Sequence, residues 1–150
     1  MVATVAGGEK IRVALARGAT APTTDDGVQI QVANFTVNKD KKIVYVFAFN
    51  DSRGRALRSV RVDDVSDEAA VMLVDDAQPK LEPAGTWHRE TEPLEFDDAK
   101  VGWFTTISNS LRVFRFTLTF SDGRKLVLHQ GMLYPAVLKE SVRRTFGLNY

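Results

Sequence analysis

The run VFRFTLTFSDGRKLVL, Val113 to Leu128, constrains this chain more than any other segment. Phe114, Phe116, Leu118 and Phe120 alternate with Val113, Arg115, Thr117 and Thr119. A period of two puts the large apolar side chains on one face of a strand, where a helix would scatter them around its circumference. Ser121-Asp122-Gly123 then supplies a tight turn, with Gly123 able to take positive φ. Leu126 and Leu128 continue the apolar face on the return. The segment reads as a hairpin with one dry face, and the rest of the chain must supply its cover.

The other elements follow the same logic. Met1–Glu9 reads as a flexible leader, and KIRVALAR, from Lys10, as a short amphipathic strand. Gly18 to Gly27 is a turn-rich connection. In VQIQVANFTV the apolar phase set by Val28, Ile30 and Val32 is lost at Phe35 and Val37. A β-bulge near Ala33-Asn34 restores it. Lys42 to Phe49 is apolar on both faces, as a central strand covered on two sides would be. The intervening NKDK makes these two runs a hairpin. ALRSVRVDDV carries charge on both faces and reads as a sheet edge, and AAVMLV as a further short strand. Asp75 to Trp103 contains Pro79, Pro83 and Pro93 and reads as a crossing between sheets.

After Pro135, Leu138, Val142 and Phe146 form an i, i+4, i+8 stripe. Lys139, Arg143 and Arg144 stand toward the C-terminal end, where a helix dipole favours cations, and Gly147 can cap it. The expected fold is all-β: an immunoglobulin-like antiparallel β-sandwich with a short C-terminal α-helix at about 135–146. A small β-barrel has the same periodicity and is the alternative. Residues 10–150 form one domain.

Composition narrows the chemistry. At 150 residues and 44% hydrophobic content, a single domain forms its core without a disulfide or metal staple. With no cysteine, thiolate nucleophiles and cysteine-ligated metal sites are excluded. A net charge of +1 lacks the basic excess of a nucleic-acid binder. No apolar run approaches the roughly 20 residues of a spanning helix, and the first residues lack the charged and apolar regions of a signal peptide. The architecture and the absent cysteine suit an exported domain, as in a bacterial periplasm, while cytoplasmic residence is allowed.

Asp-Asp occurs at Asp25-Asp26, Asp63-Asp64, Asp75-Asp76 and Asp97-Asp98. Neighbours in a strand face opposite ways, so Asp63 and Asp64 do not converge on one ion. The other pairs stand where turns begin, and aspartate stabilises turns by accepting backbone N–H groups. No metal site is expected; Asp97 and Asp98 are the nearest candidates, as loop oxygens for calcium. His88, Glu90 and Glu92 share one strand face, but i, i+4 spacing along a strand suits a single ion poorly. His129 is expected on the non-core face beside Arg115 or Thr117, solvated. No nucleophile elbow, phosphate loop or dinucleotide fingerprint occurs.

Arg53, Arg55, Arg58 and Arg61 form a basic run that can meet an acidic partner, or be neutralised by Asp63, Asp64, Asp67 and Glu68 just after it. Trp87 and Trp103 can serve as binding rings or as plugs between sheets. The expectation is a non-catalytic protein-interaction or accessory domain without cofactor, whose partner is another protein and not nucleic acid. Its contacts would involve Arg53, Arg55, Arg58, Arg61, Trp87, His88 and Trp103. The alternatives are a small-ligand or carbohydrate-binding protein or hydrolase with its site in 75–103, and a structural component of a bacterial surface or secretion assembly.

Overall fold

A computed structural model of the chain describes residues 2–13, 23–37, 42–82, 85–95 and 111–133. The expected helix at about 135–146, Trp103, Asp97 and Asp98 lie outside those residues. The described part is all-β, with two larger antiparallel sheets packed as sandwich-like layers and a two-stranded sheet at the N-terminus. The strands in chain order are β1 (Val2–Thr4), β2 (Lys10–Arg12), β3 (Thr23–Asp25), β4 (Val28–Val37) and β5 (Lys42–Asp51). They continue with β6 (Leu57–Asp64), β7 (Val71–Asp76), β8 (Thr86–Glu90), β9 (Leu94–Glu95), β10 (Leu111–Phe120) and β11 (Lys125–Leu133).

One sheet has the order β11-β10-β6-β7 and the other β3-β4-β5-β8, with β9 also on β5. The hairpin read from the alternation is β10–β11, in continuous register from Leu111↔Leu133 to Thr119↔Lys125. Phe114, Phe116 and Leu118 are fully buried, and they meet Phe47, Phe49, Ile30 and Val28 from the opposite sheet. Phe47 packs edge-on against Phe114 and Phe116, with ring centroids at 5.1 and 5.6 Å. Each such buried ring stabilises the fold by about 1.5–3 kcal/mol through its area alone, and edge-to-face pairing adds about 0.5–1.5 kcal/mol per pair. The sandwich therefore rests on this cross-sheet aromatic contact.

The phase flip in β4 is a bulge. Val32 pairs with Phe47 and Asn34 with Val46, leaving Ala33 unmatched. Phe35 then stands opposite Tyr45, a core residue, as the parity argument requires.

Three expectations are corrected. First, the charged ALRSVRVDDV run is not an edge: β6 lies between β10 and β7. Arg58 has the parity of Val60 and Val62, yet it is the extra residue between the pairs Ser59↔Thr119 and Leu57↔Phe120. A bulge turns this one cation outward and leaves the valines in the core. The edge is β7, with its own bulge at Leu73 between Val62↔Val74 and Asp63↔Met72.

Second, residues 2–8 are not a loose leader. Strand β1 pairs with β2, and a 3-10 turn over Ala6–Gly8 sits near them. This hairpin packs Ala3, Val5 and Val13 on Val65 and Val113 as a second apolar cluster, and Ala6 N–H donates to the Val65 carbonyl at 2.9 Å. Strand β2 ends at Arg12, shorter than KIRVALAR implied.

Third, the turn-rich connection contains β3. Asp26 (φ 48°) and Gly27 (φ 80°) make the two-residue turn from it into β4.

Candidate functional site

Side chains of functional type gather in four places. At one end of the sandwich lies Asp51, whose side chain is wholly buried. Its carboxylate accepts the backbone N–H groups of Arg53 and Arg55 at 3.0 Å each, and Arg55 Nε at 3.2 Å. Arg55 also reaches Asp26 at 2.8 Å and lies over the Phe120 ring, 4.3 Å from its centroid. Burial pushes the Asp51 carboxyl up, but the Arg55 side chain and the two backbone donors outweigh it and hold the group below the usual carboxylate range. The Arg55 hydrogen bond likewise holds Asp26 low. Gly85 closes this end. A Cβ there would stand 2.5 Å from the Asp51 carbonyl oxygen, and its φ of 75° already favours glycine.

At the opposite end Arg112 is buried on the core face and reaches Asp64 at 2.6 Å and Asp67 at 3.3 Å. The Ser66 hydroxyl donates to Asp64 and accepts the Val113 N–H at 2.8 Å. Asp63 faces the other way and pairs with Arg61 at 3.0 Å. The two neighbouring aspartates therefore serve separate ion pairs on separate faces, as strand geometry demands.

The third place is the outer face of β10 and β11. Arg115 and His129 are register partners, and Arg115 Nε donates to His129 Nε2 at 3.0 Å. Arg115 also reaches Glu9 of the N-terminal hairpin at 3.3 Å. His129 is half-buried rather than solvated. Burial lowers its pKa and the Arg115 charge lowers it further, so the neutral ring acts as the acceptor.

The fourth place is the β7–β8 flank. Trp87 is buried, stacked on Phe49 at 5.2 Å, and donates Nε1–H to Asp76 at 3.1 Å. It joins the sheets and is not an exposed binding ring. His88 is half-exposed on the outer face, 4.0 Å from Glu82.

Of the residues singled out from the sequence, Arg53, Arg55 and Arg61 hold Asp26, Asp51 and Asp63, and Arg58 donates to the Ser121 carbonyl at 3.2 Å. The run does not form one site: Arg53 and Arg55 sit at the Asp51 end, and Arg61 lies on the sheet face. Trp87 and His88 point to opposite sides of β8. Among the described residues, no three His, Asp or Glu side chains gather as a metal site, and no helix is long and apolar enough to cross a membrane.

An open groove of about 630 Å³ runs between Thr4, Val5, Gly7 and Gly8 on one side and Ser66, Asp67 and Glu68 on the other. Further along the chain, Val71 and Met72 of β7 are more than half exposed. The β7 edge and the His129–Arg115 pairing with Glu9 were not singled out from the sequence as sites. The only available signal was negative: AAVMLV carries no charge or proline to guard an edge. No family model, curated protein or solved structure matches this chain.

Proposed function

We propose that this chain is a non-catalytic protein-interaction or accessory domain on an immunoglobulin-like sandwich, completed by a C-terminal helix at about 135–146. The strand order supports the architectural reading. An immunoglobulin-like domain sets its third, sixth and seventh strands in one sheet and its first, second, fifth and fourth in the other, and the described residues hold counterparts of all but the fourth. Here β6, β10 and β11 share one sheet with β7 as an added edge, and β4, β5 and β8 share the other. Trp87 stands on β8 rather than on the third-strand equivalent β6, so it plugs the flank instead of the centre.

One observation carries the functional reading. The acidic and basic side chains that could do chemistry hold the fold's own ends and faces together: Asp51 with Arg55, Asp64 with Arg112, Asp63 with Arg61. Asp51, held low by Arg55 and two backbone donors, is a poor proton-transfer group near neutral pH, and Asp63 and Asp64 are occupied by Arg61 and Arg112. The His129 ring accepts from Arg115 Nε, and the Thr23 hydroxyl beside it donates to the His129 main-chain carbonyl rather than to the ring. The partner is a protein, since a net charge of +1 lacks the basic excess a phosphate backbone needs, and Arg53, Arg55, Arg61 and Arg112 already meet aspartates.

The test is turnover by the intact chain on chromogenic esters, phosphate esters, glycosides and peptides. No rate above buffer is expected. A rate abolished by a single substitution would overturn the reading.

A further inference from the structure

We propose that the turn between β10 and β11 is a site of spontaneous covalent modification, where Asp122 isomerises to isoaspartate at its bond to Gly123, while the fold protects the matching Asp26-Gly27 pair. Asp-Gly occurs at these two places in the chain. In such a pair the glycine nitrogen attacks the aspartate side-chain carbon Cγ. An N–Cγ bond forms, a Cγ–O bond breaks, and the oxygen leaves as water, which gives a five-membered succinimide. Water then opens the ring at either carbonyl, restoring aspartate or routing the main chain through Cγ. Water is the sole co-reactant. Glycine favours the attack because no side chain shields its nitrogen or restricts its rotation.

The reaction needs a side-chain carboxyl free to swing onto the main chain, a proton on that carboxyl to expel water, and a peptide bond free to turn. The Asp26-Gly27 turn opposes all three. Arg53 and Arg55 hold the two carboxylate oxygens of Asp26 at 2.9 and 2.8 Å. The Arg55 hydrogen bond keeps this carboxyl below its ordinary range, which leaves less of the protonated form. Arg55 also donates to the Asp26 carbonyl at 2.7 Å, and the Ser52 N–H donates to the Gly27 carbonyl at 2.9 Å. The space beside Gly27 is filled: a Cβ there would stand 2.9 Å from Ser52 Oγ. Turning the peptide bond would break charge-assisted hydrogen bonds at Asp26.

The Asp122-Gly123 turn is held at fewer points. Both residues are exposed, and a Cβ on Gly123 would meet no atom within 4 Å. The Asp122 carboxylate accepts the Arg124 N–H at 2.9 Å. Arg124 Nε stands 3.4 Å away, but both side chains are largely in water, which screens the pair. The Gly123 N–H donates to the Phe120 carbonyl at 2.9 Å, and this bond must open to free the nucleophile. The product adds a methylene to the main chain beside the closing pair of the hairpin, Phe120 N–H to the Arg124 carbonyl at 2.8 Å.

The test incubates the intact folded chain for weeks at neutral pH and body temperature. Tryptic peptides 18–39 and 116–124 carry the two sites separately, and electron-transfer fragmentation places any isoaspartate within them. Asp122 should isomerise at least about tenfold faster than Asp26, a barrier difference of about 1.4 kcal/mol. In urea the two rates should converge, because the protection belongs to the fold. Arg53→Ala should raise the Asp26 rate several-fold and leave the Asp122 rate unchanged, with the melting temperature showing that the chain is folded. Equal rates in the folded chain would overturn the proposal. So would the same preference in urea, since flanking sequence would then explain it. No isoaspartate at Asp122 over a period in which the unfolded chain forms it would overturn the site, and an Asp26 rate indifferent to Arg53→Ala would overturn the protection.

Discussion

The two ends of the sandwich are both closed by arginine and aspartate, but in different ways. The Asp51 end is local. Asp51 and Arg55 are four residues apart, and two of the donors to Asp51 are backbone N–H groups of the same turn. The Arg112 end is long-range. Arg112 and Asp64 are 48 residues apart on adjacent strands, and the N-terminal hairpin lies over the neighbouring Val65 and Val113. A charge whose partners are main-chain amides of its own turn stays satisfied when one side chain is lost. Asp64 also accepts the Ser66 backbone N–H of its own turn at 3.0 Å, but Arg112 meets it across the sheet and so depends on the register being intact.

The largest test removes the centre of the local end. Asp51→Ala should cost on the order of 3–5 kcal/mol in urea denaturation, because it leaves two backbone N–H groups without an acceptor and Arg55 with Asp26 alone. Arg55→Met should cost less, since Asp51 keeps both backbone donors. The acid limb of stability should report the same group. Asp51 and Asp26 are held below the ordinary range, so their contribution is fully present above about pH 4 and is lost as pH falls through their folded values. Asp51→Ala should flatten that limb; an unchanged acid midpoint would show that the knot does not titrate with folding.

Gly85→Ala follows at about 3 kcal/mol, the combined cost of positive φ and a Cβ driven against the Asp51 carbonyl. A thermal midpoint equal to wild type would mean that the two loops are not in close contact. At the far end, Arg112→Ala should cost about 2 kcal/mol. A double-mutant cycle with Asp64→Asn should show coupling of about 1 kcal/mol or more. Additive effects would show that the pair is idle and the apolar hairpin alone closes that end.

The smallest effect belongs to His129. Its folded pKa is lowered, so the unfolded chain binds the proton more readily. Stability is fully present above the ordinary histidine value of about 6.5 and declines as pH falls below it. His129→Gln keeps an acceptor for Arg115 and should remove that decline between pH 7 and 5. Equal pH slopes in both proteins would place the histidine outside the linkage.

The β10–β11 hairpin, the Ala33 bulge and the pairing of β4 with β5 were legible because two-residue periodicity and its one phase slip are local signals. The opposed roles of Asp63 and Asp64 were legible for the same reason. The position of β6 was not: charge on both faces looks like an edge until the bulge at Arg58 turns that cation away from the face of Val60 and Val62. The packed N-terminus was missed because the apolar positions Ala3 and Val5 are too few to set a period, and their value comes from Val65 and Val113, far away in sequence.

The sequence by itself determined which side chains face inward, since burial of apolar area follows from parity along each strand and needs no knowledge of neighbours. Tertiary structure decided which strands are interior and which arginine meets which aspartate. Those depend on the order in which strands lie side by side, and that order is set by distant contacts whose closure entropy no local pattern encodes.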